Sequence, residues 1–298
     1  MRFLIAGSSG FLGTMLRKHL TEQGHEVTPL VRRAPQPGEV QWDPYSAPLD
    51  PAVVDRHDVV VNLAGSPNVG NPYSSAFRAR LKESRVRTTR VLAEAIAASE
   101  SKPVLLAQNG ISWYGDQGPT PLPETAGTVG HEFMTEVTRE WEEATQPAAG
   151  AGARVVVLRT APILDARATP LKELRLLFKA GLGGPIGQGT QHMPMISVRD
   201  WVAAALHTAT TASVSGPVNL CCERVPTNAE FTRELARQVG RPAFLKVPTP
   251  VIRAAMGPLN QLPLDSLNTR PQVLIDSGYD FADPDVAAVL REGLSHSR

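Results

Sequence analysis

The stretch IAGSSGFLG (Ile5–Gly13) constrains this chain more than any other. It joins a short apolar run, Arg2–Ala6, which reads as a buried parallel strand, to a helical pattern over Phe11–Gln23 that Gly24 closes as a C-cap. Gly7, Gly10 and Gly13 punctuate the turn at G-x-x-G-x-x-G spacing. Gly7 permits a tight turn, Gly10 lets the backbone approach a pyrophosphate, and Gly13 lets the helix pack closely on the sheet. The alternative is a structural glycine turn with no ligand. Its place at the first strand–helix junction favours the nucleotide reading, because phosphate there meets a helix N-terminus.

The remaining pattern alternates strands with helices. Glu26–Val31, Asp58–Leu63, Pro103–Ala107 and Arg154–Leu158 read as strands, and residues 34–51 as a loop rich in Pro and Gly. Ala76–Ser99 is an amphipathic helix with Leu81, Val86, Leu92 and Ile96 among its apolar positions. A second helix carries MTEVTREWE, where Phe133, Val137 and Trp141 recur every four residues. This alternation predicts a Rossmann-type, doubly wound parallel α/β sheet. Beyond Arg159 helices are expected over Pro170–Ala180 and Arg199–Ala209, with a flexible GLGGPIGQG loop between them and a returning strand at Pro217–Leu220. From Thr227 onward a helix, a short strand and Pro-punctuated helices suggest a smaller, discontinuous C-terminal lobe. The expected division is a nucleotide domain of 1–165 plus about 198–222, and a substrate lobe of 166–197 and 223–298.

Composition narrows the function classes. A net charge of +1 and the lack of a long Lys/Arg block give no reason to expect nucleic acid. No apolar run approaches a bilayer span, and the chain begins directly on a strand pattern rather than a signal peptide. The only cysteines, Cys221 and Cys222, are adjacent, which suits two small buried hydrophobes and a reducing cytoplasm. The seven histidines lack zinc-ligand spacing, so no metal is expected, and no G-x-S-x-G elbow follows a strand.

The second strand ends in VRR (Val31–Arg33), where NAD-selective sites place an acidic residue for the ribose 2′-hydroxyl. Arg32 and Arg33 suit a 2′-phosphate instead, so NADP (NADPH) is expected over NAD; the alternative is a solvated surface pair. NLAG (Asn62–Gly65) closes the third strand at the carboxyl edge of the sheet, where Leu63, Ala64 and Gly65 allow close approach of a cofactor. Trp42-Asp43 either borders the adenine or packs its own loop.

These residues together resemble the extended and atypical short-chain dehydrogenase/reductases. The narrower resemblance is to NAD(P)-binding epimerase family proteins related to nucleotide-sugar epimerases and dehydratases, some of which carry a cell-division-inhibitor label. It rests on IAGSSGFLG, VVVNLAGSP (Val59–Pro67), WYGD (Trp113–Asp116), REWEEA (Arg139–Ala144), VVVLRTAPIL (Val155–Leu164), GLGGPIGQG, VPTPVIRAAMG (Val247–Gly257) and SGYDFADPDV (Ser277–Val286). The resemblance implies a cofactor site at Gly7, Ser9, Gly10, Phe11, Leu12, Gly13, Arg32, Leu63, Ala64 and Gly65, with Asn109, Pro162 and Ile163 beside the nicotinamide. Arg85 and Thr88 either face the cofactor or pack, and Asp200 and Trp201 match a segment on the substrate side. By the same resemblance a small-molecule substrate is implied, and a homodimer through the two long helices.

Extended relatives with known chemistry use a Ser or Thr near the fourth strand and Tyr-x-x-x-Lys on the next helix, where Lys lowers the Tyr pKa and Tyr relays a proton. Registering that helix on Glu142 puts Met134 and Thr138 in those places and Asn109 in the Ser place, with Ser112 a displaced candidate. A substitute acid could come from Tyr114, His131 or His192, each of which has an ordinary packing or surface reading. Hydride transfer without a strong acid, or cofactor binding without turnover, are the other two readings.

Overall fold

The computed structural model describes residues 1–67, 70–257 and 262–296. Seven strands form one sheet: β1 (Arg2–Ala6), β2 (Glu26–Val31), β3 (Val40–Gln41), β4 (Val59–Asn62), β5 (Val104–Gly110), β6 (Val155–Thr160) and β7 (Gly216–Leu220). Their order is β3-β2-β1-β4-β5-β6-β7, with β3, β2, β1, β4 and β5 pairing in parallel. The chain therefore winds outward from β1 in both directions. The first strand–helix turn lies at the topological switch point, where this architecture binds ligands. The doubly wound α/β sheet expected from the alternation is the one observed.

The helices are α1 (Phe11–Glu22), α2 (Pro51–Val54), α3 (Ser75–Ala98), α4 (Phe133–Glu143), α5 (Gln146–Gly150) and α6 (Leu171–Lys179). They continue with α7 (Val198–Thr210), α8 (Asn228–Val239), α9 (Thr249–Met256), α10 (Gln272–Asp276) and α11 (Val286–Ser295), and a single 3₁₀ turn covers Ile111–Tyr114. No helix among the described residues is long and apolar enough to cross a membrane. Two local expectations fail. β3 lies inside the loop expected over 34–51, and with a ladder of only Leu30–Val40 and Val31–Gln41 it is too short to show a period. The short strand expected after α8 is reduced to an isolated bridge between Ile186 and Val247.

The chain clusters into two units. The first comprises Met1–Asn109, Val137–Leu158 and Ala205–Val218; the second comprises Gly110–Glu136, Arg159–Ala204 and Asn219–Arg298. Gly110–Glu136 thus joins the second unit, although the sequence reading places it in the nucleotide domain.

In the first unit, Leu4, Val60, Leu92, Ile96 and Leu105 share a core in which each is fully buried. Burying such a side chain contributes roughly 1.5–3 kcal/mol. In the second unit, Leu171 and Phe178 of α6 pack with Phe231 and Leu235 of α8 and with Val289 and Leu290 of α11. α8 starts in a capping box: the Glu230 N–H donates to Thr227 Oγ1 at 3.3 Å and the Thr227 N–H to Glu230 Oε2 at 2.7 Å.

Asp200 organises the last part of this unit. Its buried carboxylate accepts from the Tyr279 hydroxyl at 2.9 Å and from the Ala282 and Asp283 N–H groups at 3.0 and 2.8 Å. Arg199 beside it forks onto Asp283 at 2.6 and 3.1 Å. The segment SGYDFADPDV is thereby fastened to α7 by charge-assisted hydrogen bonds.

Candidate functional site

The glycine turn places each glycine under a different constraint. Gly7 has φ +79°, and a Cβ there would lie 2.5 Å from the Leu63 carbonyl carbon and 2.7 Å from the Ala64 nitrogen. Only glycine lets β1 turn against the end of β4. A Cβ on Gly13 would lie 2.2 Å from the Gly7 carbonyl oxygen, which is backbone and cannot yield. Gly10 differs: its φ and ψ are −71° and 172°, and its Cβ would meet only the Gly7 oxygen, at 3.4 Å. Nothing inside the chain requires a glycine at position 10.

Gly10 is also the N-cap of α1. It offers no side-chain cap, and the first turn carries no acidic residue. The helix N-terminus keeps its partial positive charge and its amide donors for something outside the chain. Ser9 and Gly10 are exposed there, with Phe11 and Leu12 half-buried. This arrangement fits a pyrophosphate, which needs close backbone approach and N–H donors.

The facing wall is braced from beneath. Buried Asn62 donates to Thr89 Oγ1 at 2.8 Å and Thr88 Oγ1 at 3.3 Å, while its Oδ1 accepts the Ala64 N–H at 3.0 Å. Trp141 Nε1 donates to the same Thr89 hydroxyl at 2.8 Å, which ties α4 into the network. Arg85 donates to the Leu81 and Ser66 carbonyls at 2.9 and 3.2 Å and lies over the Trp141 ring at 5.3 Å. Burial pushes the Arg85 guanidinium down to about 10. Arg85 and Thr88 fix the backbone of Leu63–Ser66.

The two arginines after β2 part company. Arg33 forks onto Glu39 with both contacts at 2.7 Å, and that hydrogen bond holds the Glu39 carboxyl below its ordinary range. Arg32 is exposed and makes no hydrogen bond or ion pair among the described residues. Trp42 is buried in the core with Leu49 and Val54, so its ring packs the loop.

The candidates for proton transfer occupy separate surroundings. Asn109 is buried and donates to the Thr138 carbonyl at 3.0 Å, with Glu142 Oε2 at 3.4 Å. Thr138 is fully buried and Met134 half-buried. Ser112, half-buried in the 3₁₀ turn, has no side-chain hydrogen bond among the described residues. Tyr114 is enclosed; its hydroxyl donates to Asn219 Oδ1 at 2.8 Å and accepts from Arg159 at 3.1 Å. Burial pushes that phenol up to about 12. His131 stands almost fully exposed, 3.6 Å from Glu136. His192 is half-buried, with Nδ1 3.4 Å from Ser266 Oγ, and burial followed by the nearby Arg270 charge lowers its pKa. Pro162 and Ile163 pair with Ile196 through the Ile196 N–H to the Pro162 carbonyl, 3.1 Å. Among the described residues no group of three or more His, Cys, Asp or Glu could hold a metal ion.

Residues 3–221 match the NAD dependent epimerase/dehydratase family model, and residues 247–292 match a domain of unknown function, DUF1731. The chain belongs to the NAD-dependent epimerase/dehydratase family. It is 37% identical over 279 residues to the Mycobacterium bovis epimerase family protein Mb2239, covering 93% of this chain and 92% of that one. A crystal structure of human epimerase family protein SDR39U1 with NADPH superposes with a TM-score of 0.87 at 30% identity, covering 99% of each chain. A Corynebacterium glutamicum nucleoside-diphosphate sugar epimerase gives 0.82 at 32% identity, over 99% of this chain and 58% of that one. The chain is thus an NAD(P)-binding protein of the short-chain dehydrogenase/reductase superfamily.

Two features of this epimerase-family chain escape sequence reasoning. Buried Arg159 lies 3.5 Å over the Trp113 ring and donates to the Tyr114 hydroxyl. Buried Glu124 accepts the Asn219, Gln272 and Val273 N–H groups at 3.0, 3.1 and 3.3 Å. Only the long apolar-flanked reach of LRT hints at the arginine.

The second is Asp265, whose carboxyl is pushed from 3.8 up to about 7 by burial, then by Asp116 and Glu132. Nothing in the local sequence signals it. Because the folded state holds this proton more tightly than the unfolded chain, its contribution is complete below the ordinary Asp pKa and is lost as pH rises towards 7. Asp265→Asn cannot ionise. It should match the parent in urea unfolding at about pH 4 and exceed it at about pH 8 by roughly 1–2 kcal/mol, discounted for partial exposure. A constant difference across pH would reject this assignment.

Proposed function

We propose that the chain is an NADP(H)-dependent oxidoreductase or epimerase-like protein acting on a small polar, sugar-derived metabolite. The observation that carries this reading is the unconstrained Gly10 at the uncapped start of α1, with Arg32 uncommitted at the end of β2. Gly7–Gly13 would hold the pyrophosphate, Leu63–Gly65 the adenosine side, and Arg32 the 2′-phosphate. Arg33 serves instead to hold Glu39 away from that charge. NADPH in the human relative and the sugar-nucleotide name of the corynebacterial one support the same choice. The bound dinucleotide supplies the hydride chemistry. Asn109, Pro162 and Ile163 stand as the residues on its nicotinamide side, and Ser112, His131 and His192 as the proton-transfer candidates with accessible polar atoms.

Arg32→Ala tests the cofactor assignment by fluorescence titration. NADPH affinity should fall about 10–100-fold, the worth of one charge-assisted pair, with NADH affinity nearly unchanged. Equal losses for both nucleotides would remove Arg32 from the 2′-phosphate role.

A second reading, a non-catalytic NADP(H)-binding sensor, is favoured by Met134 and Thr138, which carry no ionisable group, and by the enclosed Tyr114 hydroxyl. Mass spectrometry of whatever co-purifies separates the two. A metabolite alongside the dinucleotide supports the enzyme, and dinucleotide alone supports the sensor.

A further inference from the structure

We propose that the second unit carries a surface that docks on anionic lipid headgroups. The surface is built from α6, the loop that follows it, and residues 241–253. Leu176, Leu177, Leu182, Phe244, Leu245 and Val251 are all exposed, Phe244 to 86%, Leu176 to 59% and Leu182 to 57%. A monomeric soluble protein exposes scattered leucines, but a group of large apolar side chains on adjoining segments marks an interaction site.

These segments adjoin through their backbones. The Leu182 N–H donates to the Leu177 carbonyl at 3.0 Å, and the Gly187 N–H to the Val247 carbonyl at 2.9 Å. The Val247 N–H returns to the Pro185 carbonyl at 2.9 Å, and Arg241 reaches the Lys179 carbonyl at 3.4 Å. A Cβ on Gly184 would strike the Leu245 carbonyl, so the two strips touch there.

Charge decides the occupant. Lys172, Arg175, Lys179, Arg241, Lys246 and Arg253 rim the apolar residues, against a single acid, Glu173, in residues 171–189 and 241–257. A second copy of the chain, meeting this surface through a two-fold axis, would set those cations against themselves. Apolar side chains this exposed project outward instead of lining a groove, so a folded partner would need matching pockets for each. A headgroup layer yields to them, while Lys and Arg extend their charges to the phosphates. No membrane-spanning helix is needed for this mode.

Sedimentation of the full chain with vesicles tests the proposal, using phosphatidylcholine alone and phosphatidylcholine mixed with phosphatidylserine. The parent should partition onto the mixed vesicles, less onto the neutral ones, and release as salt rises. Lys179→Glu with Lys246→Glu should lower that partition roughly tenfold or more. Phe244→Asp with Leu182→Asp should lower it as well, with the thermal transition and NADPH titration unchanged. If the aspartate pair fails to fold, the glutamate pair still decides. Absence of binding to both vesicles, or binding that neither pair alters, would overturn the proposal. So would a parent dimer in sedimentation velocity that the aspartate pair splits while vesicle binding persists, which would give the surface to a second copy.

Discussion

Gly10→Ala should leave the chain folded and remove dinucleotide binding. The backbone at position 10 is extended, which any residue adopts, and the added methyl would touch only the Gly7 oxygen, at 3.4 Å. An alanine N-cap costs about 0.5–1 kcal/mol relative to glycine, a small part of a total stability of roughly 5–15 kcal/mol. The same methyl stands where a pyrophosphate must reach the amides of α1. The expected loss is about a hundredfold, or ~3 kcal/mol, in NADPH affinity. Gly13→Ala should behave oppositely. Its Cβ would lie 2.2 Å from the Gly7 oxygen and 2.7 Å from the Ser8 Cα, both backbone atoms, so the turn itself must shift. That clash should cost more than about 3 kcal/mol and lower the thermal midpoint sharply. Thermal melts and NADPH titrations of the two variants check the contrast. Parent-like NADPH binding by Gly10→Ala would sink the assignment of this turn to phosphate.

Asp200→Ala should produce the largest loss of stability. It would leave the Tyr279 hydroxyl and the Ala282 and Asp283 amides without their acceptor in a buried position. Each stranded donor costs about 1–3 kcal/mol, and breaking a buried charged network by removing one member costs about 3–5 kcal/mol. Tyr279→Phe removes a single donor and should cost about 1–2 kcal/mol. Asp200→Asn, which keeps one acceptor oxygen, should fall between the two. Urea unfolding of the three variants gives the order. An Asp200→Ala variant within about 1 kcal/mol of the parent would contradict the role drawn for this carboxylate.

Much of the fold was legible because it rests on local periodicity. The β1 and β2 bounds follow from apolar runs, and α3 from its buried Leu81, Leu92 and Ile96. The glycine spacing was legible too, although the division of labour within it was not. That Gly7 and Gly13 answer to the chain while Gly10 does not depends on how close Leu63 comes, a tertiary distance. The Arg32-Arg33 pair was visible, but not that Glu39 claims one of them. Tyr114 illustrates the limit most clearly. Its neighbours in WYGD suggest an available phenol, whereas its environment is set by Asn219, 105 residues away. Asp265 owes its raised pKa to Asp116 and Glu132 from another part of the chain, so no window around it could show the shift. β3, at two residues, carries too little pattern to read.

The interleaving of the two units bears on how such chains diversify. Each unit is assembled from three separate stretches, and the strands β5, β6 and β7 contribute residues to both. The second unit therefore cannot have been acquired as a cassette joined to the end of a nucleotide-binding gene, nor exchanged as one. Grafting only the tail of a relative onto this chain would separate Asp200 from the tyrosine and amides that evolved with it. Variation in what these proteins act upon has to come from growth and substitution within the loops after β5 and β6, made in step with the tail. A productive chimera would need to transplant all three stretches together.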